Sequence, residues 1–589
     1  MNRKNLTAAL LAGLAGAAGI AGSAQAVNLN PDGLGSVLIY PYYTVNGGND
    51  TLLSVVNTSD DAKAVKVRFV ESYNSREVLD FNLYMSAYDV WVAAIVAGTT
   101  IEDEIVGVDP DEDGAWLLVP DSSCTTPYLY EWDRPAAFLP YAYQGDGGPN
   151  DLSRVREGHF EMIEMGTLVG ASAVDATHVA STGEPADCAQ LNANWSNGGT
   201  WAIEAAANAK DPDEDFADCA YDGTKYVDHC DYATTDVTRN SGGLFGSAAI
   251  INGAAGTMYS YDAHAVQGFD DKDRGNHHTP GTSRPSLNSG NVTDAWVFFG
   301  EPIVKAVELS YPFGIDAISA VFMHEKVMNE YAVNANIGGL SEWVVTFPTK
   351  NWYVDDYTRG TVLEAIIPDP SDPACLGWED GDDIPNNGNG KWVDSPTNSD
   401  LGEWPSIGCD ELEITHGREP FTSIFNGDAC EKVHVSIWDR EESPSTTTGF
   451  GPIVSPPPPG GTPPGGTELC YEANVIRFSE DERPDTGSEI FGNVHPKAVT
   501  VAPAGISGWA QMDFWLGDSD HEDYAGLVGL PVTGFWANAL QNSYAGGELG
   551  IIANYGGLFG HKANIRRQGG SYCDRHYCGS GGYGKNGGQ

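Results

Sequence analysis

The stretches Ala64-Val-Lys-Val-Arg-Phe-Val-Glu71 and Val78-Leu-Asp-Phe-Asn-Leu-Tyr-Met85 decide the fold class. In the first, Val and Phe alternate with Lys and Arg; in the second, Leu and Phe alternate with Asp and Asn. A period of two is typical of a β-strand that turns one face to a core and the other to water. We therefore expect two neighbouring strands of an antiparallel sheet with their charged residues in solvent.

Similar short apolar runs surround these two stretches, at Ser36–Val45, Thr51–Asn57 and Val90–Val96. Several are bounded by Asn, Gly, Asp and Ser, which favour turns. Short strands at a spacing of roughly ten residues are typical of sandwiches. Residues 27–120 are therefore predicted to form an antiparallel sandwich that resembles the immunoglobulin-like folds, although the cysteine pair of those folds is missing there.

Beyond residue 120, strand-like runs continue with longer interruptions and predict β-rich regions at 121–350 and 471–560. Between Asp316 and Tyr331, apolar residues recur mostly at steps of three and four, which predicts an amphipathic helix over 316–331. Residues 351–470 form an acidic, Cys-bearing insertion whose Pro/Gly run, Ser455–Thr467, we interpret as a loop. The predicted fold class is mainly β: an N-terminal immunoglobulin-like antiparallel sandwich, followed by a further β-sandwich or sheet region with one amphipathic helix and long disulfide-bonded loops.

Residues 1–26 have the features of a secretory signal peptide: basic Arg3 and Lys4, a mostly apolar stretch, and Ala24-Gln25-Ala26 as a cleavage site. We expect export to the cell surface, the medium or the periplasm, and no later stretch is apolar enough to span a bilayer. In an exported chain, cysteines most economically form disulfides, and we expect neighbours to pair, with Cys219–Cys230 and Cys573–Cys578 closing the shortest loops. The ten cysteines fall in loop-like segments and are Cys124, Cys188, Cys219, Cys230, Cys375, Cys409, Cys430, Cys470, Cys573 and Cys578.

The charge of the chain excludes some partners. Asp and Glu number 82 against 31 Lys and Arg, a formal charge of −51, which becomes −53 when Arg3 and Lys4 leave with the signal. Nucleic acids and anionic membranes would be repelled. The sign reverses in the Gly-rich tail at 561–589, since Gly560–Gln589 holds five Lys and Arg against one acid. This tail either docks on acidic surface, its own or that of a neighbouring copy, or is a solvated end.

Two Asp-rich turns are candidate calcium sites. Asp109-Pro-Asp111-Glu-Asp113-Gly114 places oxygen ligands at alternate positions before a glycine, as the first half of an EF-hand loop does, but Pro120 stands where that loop has its bidentate Glu. Asp380-Gly-Asp382-Asp383 resembles the aspartate-rich calcium repeats of extracellular modules and occurs once. The alternative for both is a solvated acidic loop.

Complete catalytic motifs are missing, because the sequence has no nucleophile elbow, phosphate loop or full zinc signature. In Glu157-Gly-His159-Phe-Glu161, alternation puts three ionisable residues on one face of a strand, where they either line a cleft or form a polar sheet face. A carboxylate pair for glycoside hydrolysis depends on spacing in three dimensions. Candidates for stacking on sugars are Trp343, Trp352, Trp392 and Trp404.

Several segments, which span nearly the whole chain, are similar to a family of proteobacterial exported proteins labelled cell-surface proteins. They are Val37–Tyr43, Ser54–Thr58, Val65–Phe69, Asp80–Tyr84, Arg156–Gly166, Trp343–Lys350 and Gly526–Thr533. The resemblance implies export and a surface or envelope location, and it supplies no catalytic residues.

The leading expectation is a non-catalytic surface or extracellular-matrix structural protein, stabilised by calcium, that associates with itself or with envelope and matrix polymers. The alternative is a secreted carbohydrate-active, carbohydrate-binding or adhesive protein. A cleft with paired carboxylates or an aromatic platform would favour this alternative.

Overall fold

The computed structural model describes most of the chain between residues 26 and 567. The described ranges are 26–98, 114–129, 135–140, 142–143, 146–196, 236–271, 275–278, 280–299, 305–311, 313–355, 362–363, 366–367, 392–393, 412–413, 420–441, 467–479, 487–514, 527–542 and 553–567.

Two antiparallel sheets contain the N-terminal strands. The first sheet has the order Asn28–Leu29, His264–Gln267, Val37–Thr44, Glu157–Leu168, Lys63–Glu71, Glu77–Met85 and Cys124–Thr126, with Val237–Thr238 paired to Glu157–Leu168. The second has the order Thr257–Asp262, Leu244–Asn252, Asn49–Asn57, Val90–Gly98, Gly114–Leu118 and Ala136–Ala137. Their inward residues share one hydrophobic core, in which Val67 and Phe69 of the first sheet join Val55 and Trp91 of the second. The apolar half of the predicted alternation is therefore buried, as expected.

Two further sheets contain most of the later strands. The third has the order Thr467–Leu469, Glu431–Asp439, Ser507–Asp513, Lys326–Ala332 and Lys562–Asn564. The fourth has the order Val499–Val501, Ala473–Phe478, Leu340–Thr346, Thr533–Asn542 and Ala553–Gly560, and in it Val499–Val501 runs parallel to its neighbour. Val327 and Tyr331 of the third sheet share a second core with Trp343 and Val345 of the fourth.

Strand Val37–Thr44 joins the two cores, and this explains why all eight of its residues are buried. Leu38 and Tyr40 belong to the first core, whereas Val37 and Ile39, on the opposite face, belong to the second. The hydroxyl of Thr346 in the fourth sheet also donates to the backbone carbonyl of Pro41 over 2.7 Å. The alternation of faces in a strand thus anchors one strand in both layers.

Smaller elements complete the described architecture. The two-stranded pairs are Asp294–Phe299 with Lys305–Ser310, Met323–His324 with Leu530–Pro531, Val362–Leu363 with Trp392–Val393, Ile366–Ile367 with Leu412–Glu413, and Leu527–Val528 with Arg566–Arg567. The α-helices are Gly170–Ala176, Cys188–Trp195, Gly314–Val321 and Lys350–Val354, and the 3-10 turns are Asn46–Gly48, Leu152–Arg156, Leu287–Ser289 and Ala335–Ile337. The protein is mainly β, as the sequence predicts.

The predicted helix over 316–331 is wrong in its second half. The helix spans Gly314–Val321 and is followed by strands Met323–His324 and Lys326–Ala332. Lys326–Ala332 pairs with Ser507–Asp513 on one side and with Lys562–Asn564 on the other. Backbone pairing with distant strands therefore overrides a local spacing that also fits a helix.

The sheets extend across the predicted regions. The first two sheets take strands such as Glu157–Leu168 and Leu244–Asn252 from beyond residue 120, so residues 27–120 do not close a sandwich by themselves. Within the predicted insertion 351–470, Glu431–Asp439 pairs inside the third sheet, and the predicted tail 561–589 begins with Lys562–Asn564 in that same sheet. An immunoglobulin-like strand arrangement stays a prediction.

Two disulfides lie within the described ranges, Cys124–Cys188 and Cys430–Cys470, and each joins cysteines that are neighbours in sequence order. Contrary to expectation, Cys124 begins a strand and Cys188 begins a helix. Cys430–Cys470 closes across the Pro/Gly run, and the flanking strands Glu431–Asp439 and Thr467–Leu469 pair with each other, which supports a loop. The remaining six lie outside the described residues: Cys219, Cys230, Cys375, Cys409, Cys573 and Cys578.

Candidate ligand-binding cleft

The charged face of the first sheet is buried, which corrects the expectation that it lies in water. Lys66 is fully buried and Asp80 is 9 % exposed. The segment before residue 290 covers this face, because Lys66 Nζ donates to the carbonyl of Thr282 over 2.7 Å and Asn82 Nδ2 donates to the carbonyl of His278 over 2.8 Å. Lys66 also forms an ion pair with Asp80, as a buried cation requires.

Arg68 links two buried carboxylates at the centre of this face. Register places Arg68 opposite Glu161, with which it pairs, and its Nε donates to Glu77 Oε2 over 2.9 Å. Burial raises the pKa of Glu161 above its usual value even though Arg68 opposes the shift. Burial also acts on Glu77, but there the attraction of Arg68 and Lys66 outweighs it and holds the pKa below its usual value. The two carboxyl groups are therefore shifted in opposite directions.

A second arginine fixes the turn between strands Lys63–Glu71 and Glu77–Met85. Arg154 Nε and Nη2 donate to the two oxygens of Glu71 over 2.8 and 3.0 Å. The same carboxylate accepts the backbone N–H groups of Tyr73, Asn74 and Arg76 over 2.7 to 3.0 Å. One buried charge thus satisfies three donors that the turn cannot pair internally.

The turn presents Ser75 and Arg76 toward a cleft. Ser75 has a left-handed backbone with φ 50°, which the Glu71 hydrogen bonds hold in place. Arg76 Nη2 donates to Asp355 over 2.8 Å, and its Nη1 donates to the carbonyl of Ala142 over 3.3 Å. The turn is therefore tied to the helix Lys350–Val354, which forms the opposite wall.

The cleft has a volume of about 540 Å³. Its floor is the charged face of the first sheet, with Arg68, Glu77, His159 and Glu161. Its walls come from the turn, from residues 281–288, from the helix Gly314–Val321 and from residues 348–352, and they contribute Ser283, Ser286, Leu287, Asn288, Ile315, Pro348, Thr349, Asn351 and Trp352. Gly281 and Ser283 are exposed at the rim, whereas Glu77, His159 and Glu161 of the floor are buried.

The lining is electrically balanced. Arg68 and Arg76 carry two positive charges, and Glu77 and Glu161 carry two negative charges when ionised. Burial, reinforced by Arg68, lowers the pKa of His159 to about 3, so this imidazole is neutral near pH 7. The side chain is 2 % exposed and its Nδ1 has no hydrogen-bond partner, which leaves one polar atom of the floor unsatisfied.

The three ionisable residues of one strand divide between two places. His159 and Glu161 line the cleft, as one of the two interpretations predicts. Glu157 instead accepts the hydroxyl of Tyr42 over 2.6 Å and the amide of Asn493 over 2.9 Å, and it pairs with His495. A register shift between Gly158 and Phe160 accompanies the change of surroundings.

Among the tryptophans considered for sugar stacking, Trp352 lines the cleft and is 8 % exposed. Trp343 is fully buried in the second core. Trp392 lies in a two-residue strand, and Trp404 lies outside the described residues.

The predicted calcium residues Asp109, Asp111, Asp113, Asp380, Asp382 and Asp383 all lie outside the described residues, so both sites stay predictions. In the described part of the chain, Cys430, Glu468 and Cys470 form a cluster of three side chains of metal-ligating types. The two sulfurs are bonded to each other, so this group offers no thiolate to a metal.

The sequence pattern did not predict several cleft residues, above all Arg68, Arg76 and Glu77. A signal was available, because Lys63, Lys66 and Arg68 place three of only 31 cationic residues within six positions. In a base-poor chain, such a concentration indicates an internal partner for acids more than a solvated face.

Comparisons with family models, with curated proteins and with solved structures find no match to this chain. No helix in the described ranges combines the length and apolar character needed to cross a membrane.

Proposed function

We propose that this chain is an exported, non-catalytic surface protein that binds a neutral saccharide in the cleft above the first sheet. The observation that carries the proposal is the cleft itself. It combines a charge-balanced lining, walls rich in uncharged hydrogen-bonding groups and an aromatic side chain. This joins the non-catalytic surface role expected from the sequence with its carbohydrate-binding alternative.

The walls suit a hydroxyl-rich ring. Ser283 and the amide NH₂ of Asn288 offer hydrogen bonds to hydroxyl groups, and the Ser286 hydroxyl donates to Asn288 Oδ1. Leu287 and Trp352 offer apolar surface to the C–H face of a sugar. A few polar groups fix orientation in such a site while apolar contacts supply area.

The floor suits an uncharged ligand. Arg68 is already paired with Glu77 and Glu161, and Arg76 is paired with Asp355. An anionic ligand would compete with these carboxylates for the guanidinium groups, and a cationic ligand would compete with the arginines. A neutral ligand disturbs neither pairing, which keeps the cost of desolvation low.

A second candidate function is glycoside hydrolysis, and one observation favours it. The pKa of Glu161 is raised and that of Glu77 is lowered, which is the division that an acid and a base of a glycosidase need. Against it, Arg68 donates to both carboxylates, so neither is available to a scissile bond without breaking an ion pair. We therefore place binding without turnover first.

The surface location rests on the predicted signal at residues 1–26, on the disulfides and on the resemblance to exported cell-surface proteins. The calcium sites at Asp109–Asp113 and Asp380–Asp383 belong to the same proposal. Mass spectrometry of the exported protein should find a chain that begins at Val27. A mass that retains the first 26 residues would contradict signal cleavage.

The binding test uses the purified protein and a panel of neutral and charged oligosaccharides, with titration calorimetry for each positive. We expect a neutral glycan to bind, and Trp352→Ala and Asn288→Ala each to weaken it at least about tenfold, a loss of about 1.4 kcal/mol. The matched control is Trp509→Ala, because Trp509 is 39 % exposed on the third sheet, away from the cleft. This control should bind as the wild type does.

Three outcomes would contradict the proposal: no neutral glycan binds, a charged glycan binds better, or Trp509→Ala weakens binding as much as the two cleft variants do. Because Trp352 is largely buried, thermal melting is measured for every variant, and Asn288→Ala decides where Trp352→Ala fails to fold. Release of reducing ends by the wild type that Glu161→Gln abolishes would establish the second candidate instead.

A further inference from the structure

The outer face of the second sheet is apolar, although its inner face already forms the first core. Along each strand the outward residues alternate with core residues. Register sets them in four rows across the sheet: Phe245, Val56 and Val90; Asp262, Ser247, Ser54 and Val92; Ser260, Ala249, Leu52, Ala94 and Leu118; and Met258, Ile251 and Asp50, continued by Val96 and Trp116. Met258 extends this outer face at the edge strand, beside Ile251.

Large apolar side chains on this face are exposed. The exposed fractions are 42 % for Leu52, 49 % for Val90, 39 % for Val92, 42 % for Phe245 and 55 % for Met258. Single exposed apolar residues are ordinary, but several on one sheet face mark an interaction surface, and here they lie on both sides of the hydrogen-bonded Ser54 and Ser247.

Charge is nearly missing from the same face. Its rows contain no Lys, Arg or Glu, and the outward carboxylates of the four strands from Thr257–Asp262 to Val90–Gly98 are Asp50 and Asp262. The whole chain has a formal charge of −51, so two copies repel each other over most of their surfaces. This face is where two copies approach with the least repulsion.

We infer that the outer face of the second sheet is the contact by which this chain associates with a second copy of itself. Five strands at about 4.8 Å and four rows at about 6.8 Å give a footprint of about 650 Å² for each copy. Two copies would bury about 1,300 Å², which lies at the lower end of specific interfaces. Two identical twisted sheets pack face to face with their strands within about 30°, and a twofold axis pairs the face with itself.

This association differs from docking by the basic tail. An apolar contact between two acidic bodies strengthens when salt screens their repulsion, whereas a contact between the tail and an acidic surface weakens. The salt dependence therefore distinguishes the two modes. Association through the second sheet also leaves the cleft free, because none of the cleft residues lies on that sheet.

The test is sedimentation equilibrium of the purified, oxidised protein up to about 100 µM, at low and at high salt. We expect a reversible dimer that is tighter at high salt. Val92→Glu and Phe245→Glu should each weaken it at least tenfold, because each places two like charges in a desolvated contact. Val494→Glu is the matched control, since Val494 is 69 % exposed in a loop outside this face, and it should leave the dimer unchanged.

Four results would overturn the inference. The first three are a protein that stays monomeric at high salt over the whole concentration range, a dimer that weakens as salt rises, and a Val494→Glu variant that weakens the dimer as much as Val92→Glu does. The fourth is a monomer whose melting temperature falls strongly in both face variants but not in Val494→Glu, because this would mean that the chain itself covers the face.

Discussion

Replacing Glu71 by Gln tests whether a buried ion pair holds the turn that forms one wall of the cleft. Glu71 is fully buried, and its carboxylate accepts two hydrogen bonds from Arg154 and three from the backbone N–H groups of Tyr73, Asn74 and Arg76. Glutamine has nearly the same shape. It removes the charge and turns one acceptor into an NH₂ donor that faces other donors.

The expected loss follows from the partners that remain. Removing one member of a buried ion pair costs about 3–5 kcal/mol, because the other charge stays buried without compensation. In Glu71→Gln, Arg154 keeps its ion pair with Asp146, which accepts hydrogen bonds from Arg154 Nη1 over 3.1 Å and from Nη2 over 2.5 Å. We therefore expect the lower end of this range, about 3 kcal/mol in the free energy of unfolding. Saccharide binding should weaken too, since the turn carries Ser75 into the cleft.

The assay is urea unfolding followed by tryptophan fluorescence, with an unchanged slope as evidence that the same structure unfolds. Glu330→Gln is the matched control because Glu330 is exposed on the third sheet, and it should change the free energy by less than about 0.5 kcal/mol. The double variant with Arg154→Met should be less destabilised than the sum of the single variants. A loss below about 1 kcal/mol, or additive effects, would refute the idea that this pair holds the turn.

Three further predictions concern the whole protein. Burial lowers the pKa of His264, His324 and His561 to about 4, so the unfolded chain takes up protons below about pH 6.5 while the folded chain does not. When the pH falls from 7 to 5, each of these histidines should lower the free energy of unfolding by about 2 kcal/mol. Buried carboxyl groups with raised pKa values offset part of this loss. A urea midpoint that rises at pH 5 would contradict the prediction. Replacing both cysteines of Cys430–Cys470 by Ser opens a separation of 40 residues and should cost about 4 kcal/mol, so a variant that melts like the wild type would argue against a stabilising role. Millimolar calcium should raise the melting temperature, and Asp111→Asn should reduce that rise; equal melting with calcium and with chelator would remove the calcium prediction.

Local periodicity predicted the strands well, because alternation is written in adjacent residues. The runs Ala64–Glu71 and Val78–Met85 became strands Lys63–Glu71 and Glu77–Met85. Alternation does not specify whether the polar face of a strand is exposed to water or covered by another part of the protein. Lys66 is buried by a contact with Thr282, which lies 216 residues away in sequence, and no local pattern reports such a cover.

The helix error has a similar origin. The spacing of Ile318, Val321, Phe322, Met328 and Tyr331 predicted the helix. Val327 lies four residues before Tyr331, and a step of four also keeps two residues on one face of a strand. Partners at Ser507–Asp513 and Lys562–Asn564 decide between the two structures, and both are far along the chain. Because a spacing of four fits both a helix and a strand, the local sequence does not decide between the two structures.

Part of the cleft could be predicted from the sequence. Alternation placed His159 and Glu161 on one face, and this holds because both belong to one strand. Arg68 and Glu77 come from two other strands, and Trp352 comes from a helix. Their convergence depends on the order of the sheet and on the packing of the helix against it, which one sequence does not state.

The acidity of the chain and the neutrality of its cleft have a common cause. Cations are scarce, and those in the first sheet and in the turns beside it form buried ion pairs, namely Lys63–Glu164, Lys66–Asp80, Arg68–Glu161, Arg76–Asp355 and Arg154–Glu71. Each cation held in this way neutralises an interior acid and leaves one fewer to balance acids on the surface. Because the exterior then carries a large net negative charge, it repels acidic partners at long range. An uncharged ligand in the cleft and a sheet face with few charges between copies are both compatible with this rule, whereas an anionic polymer bound to the acidic body would contradict it.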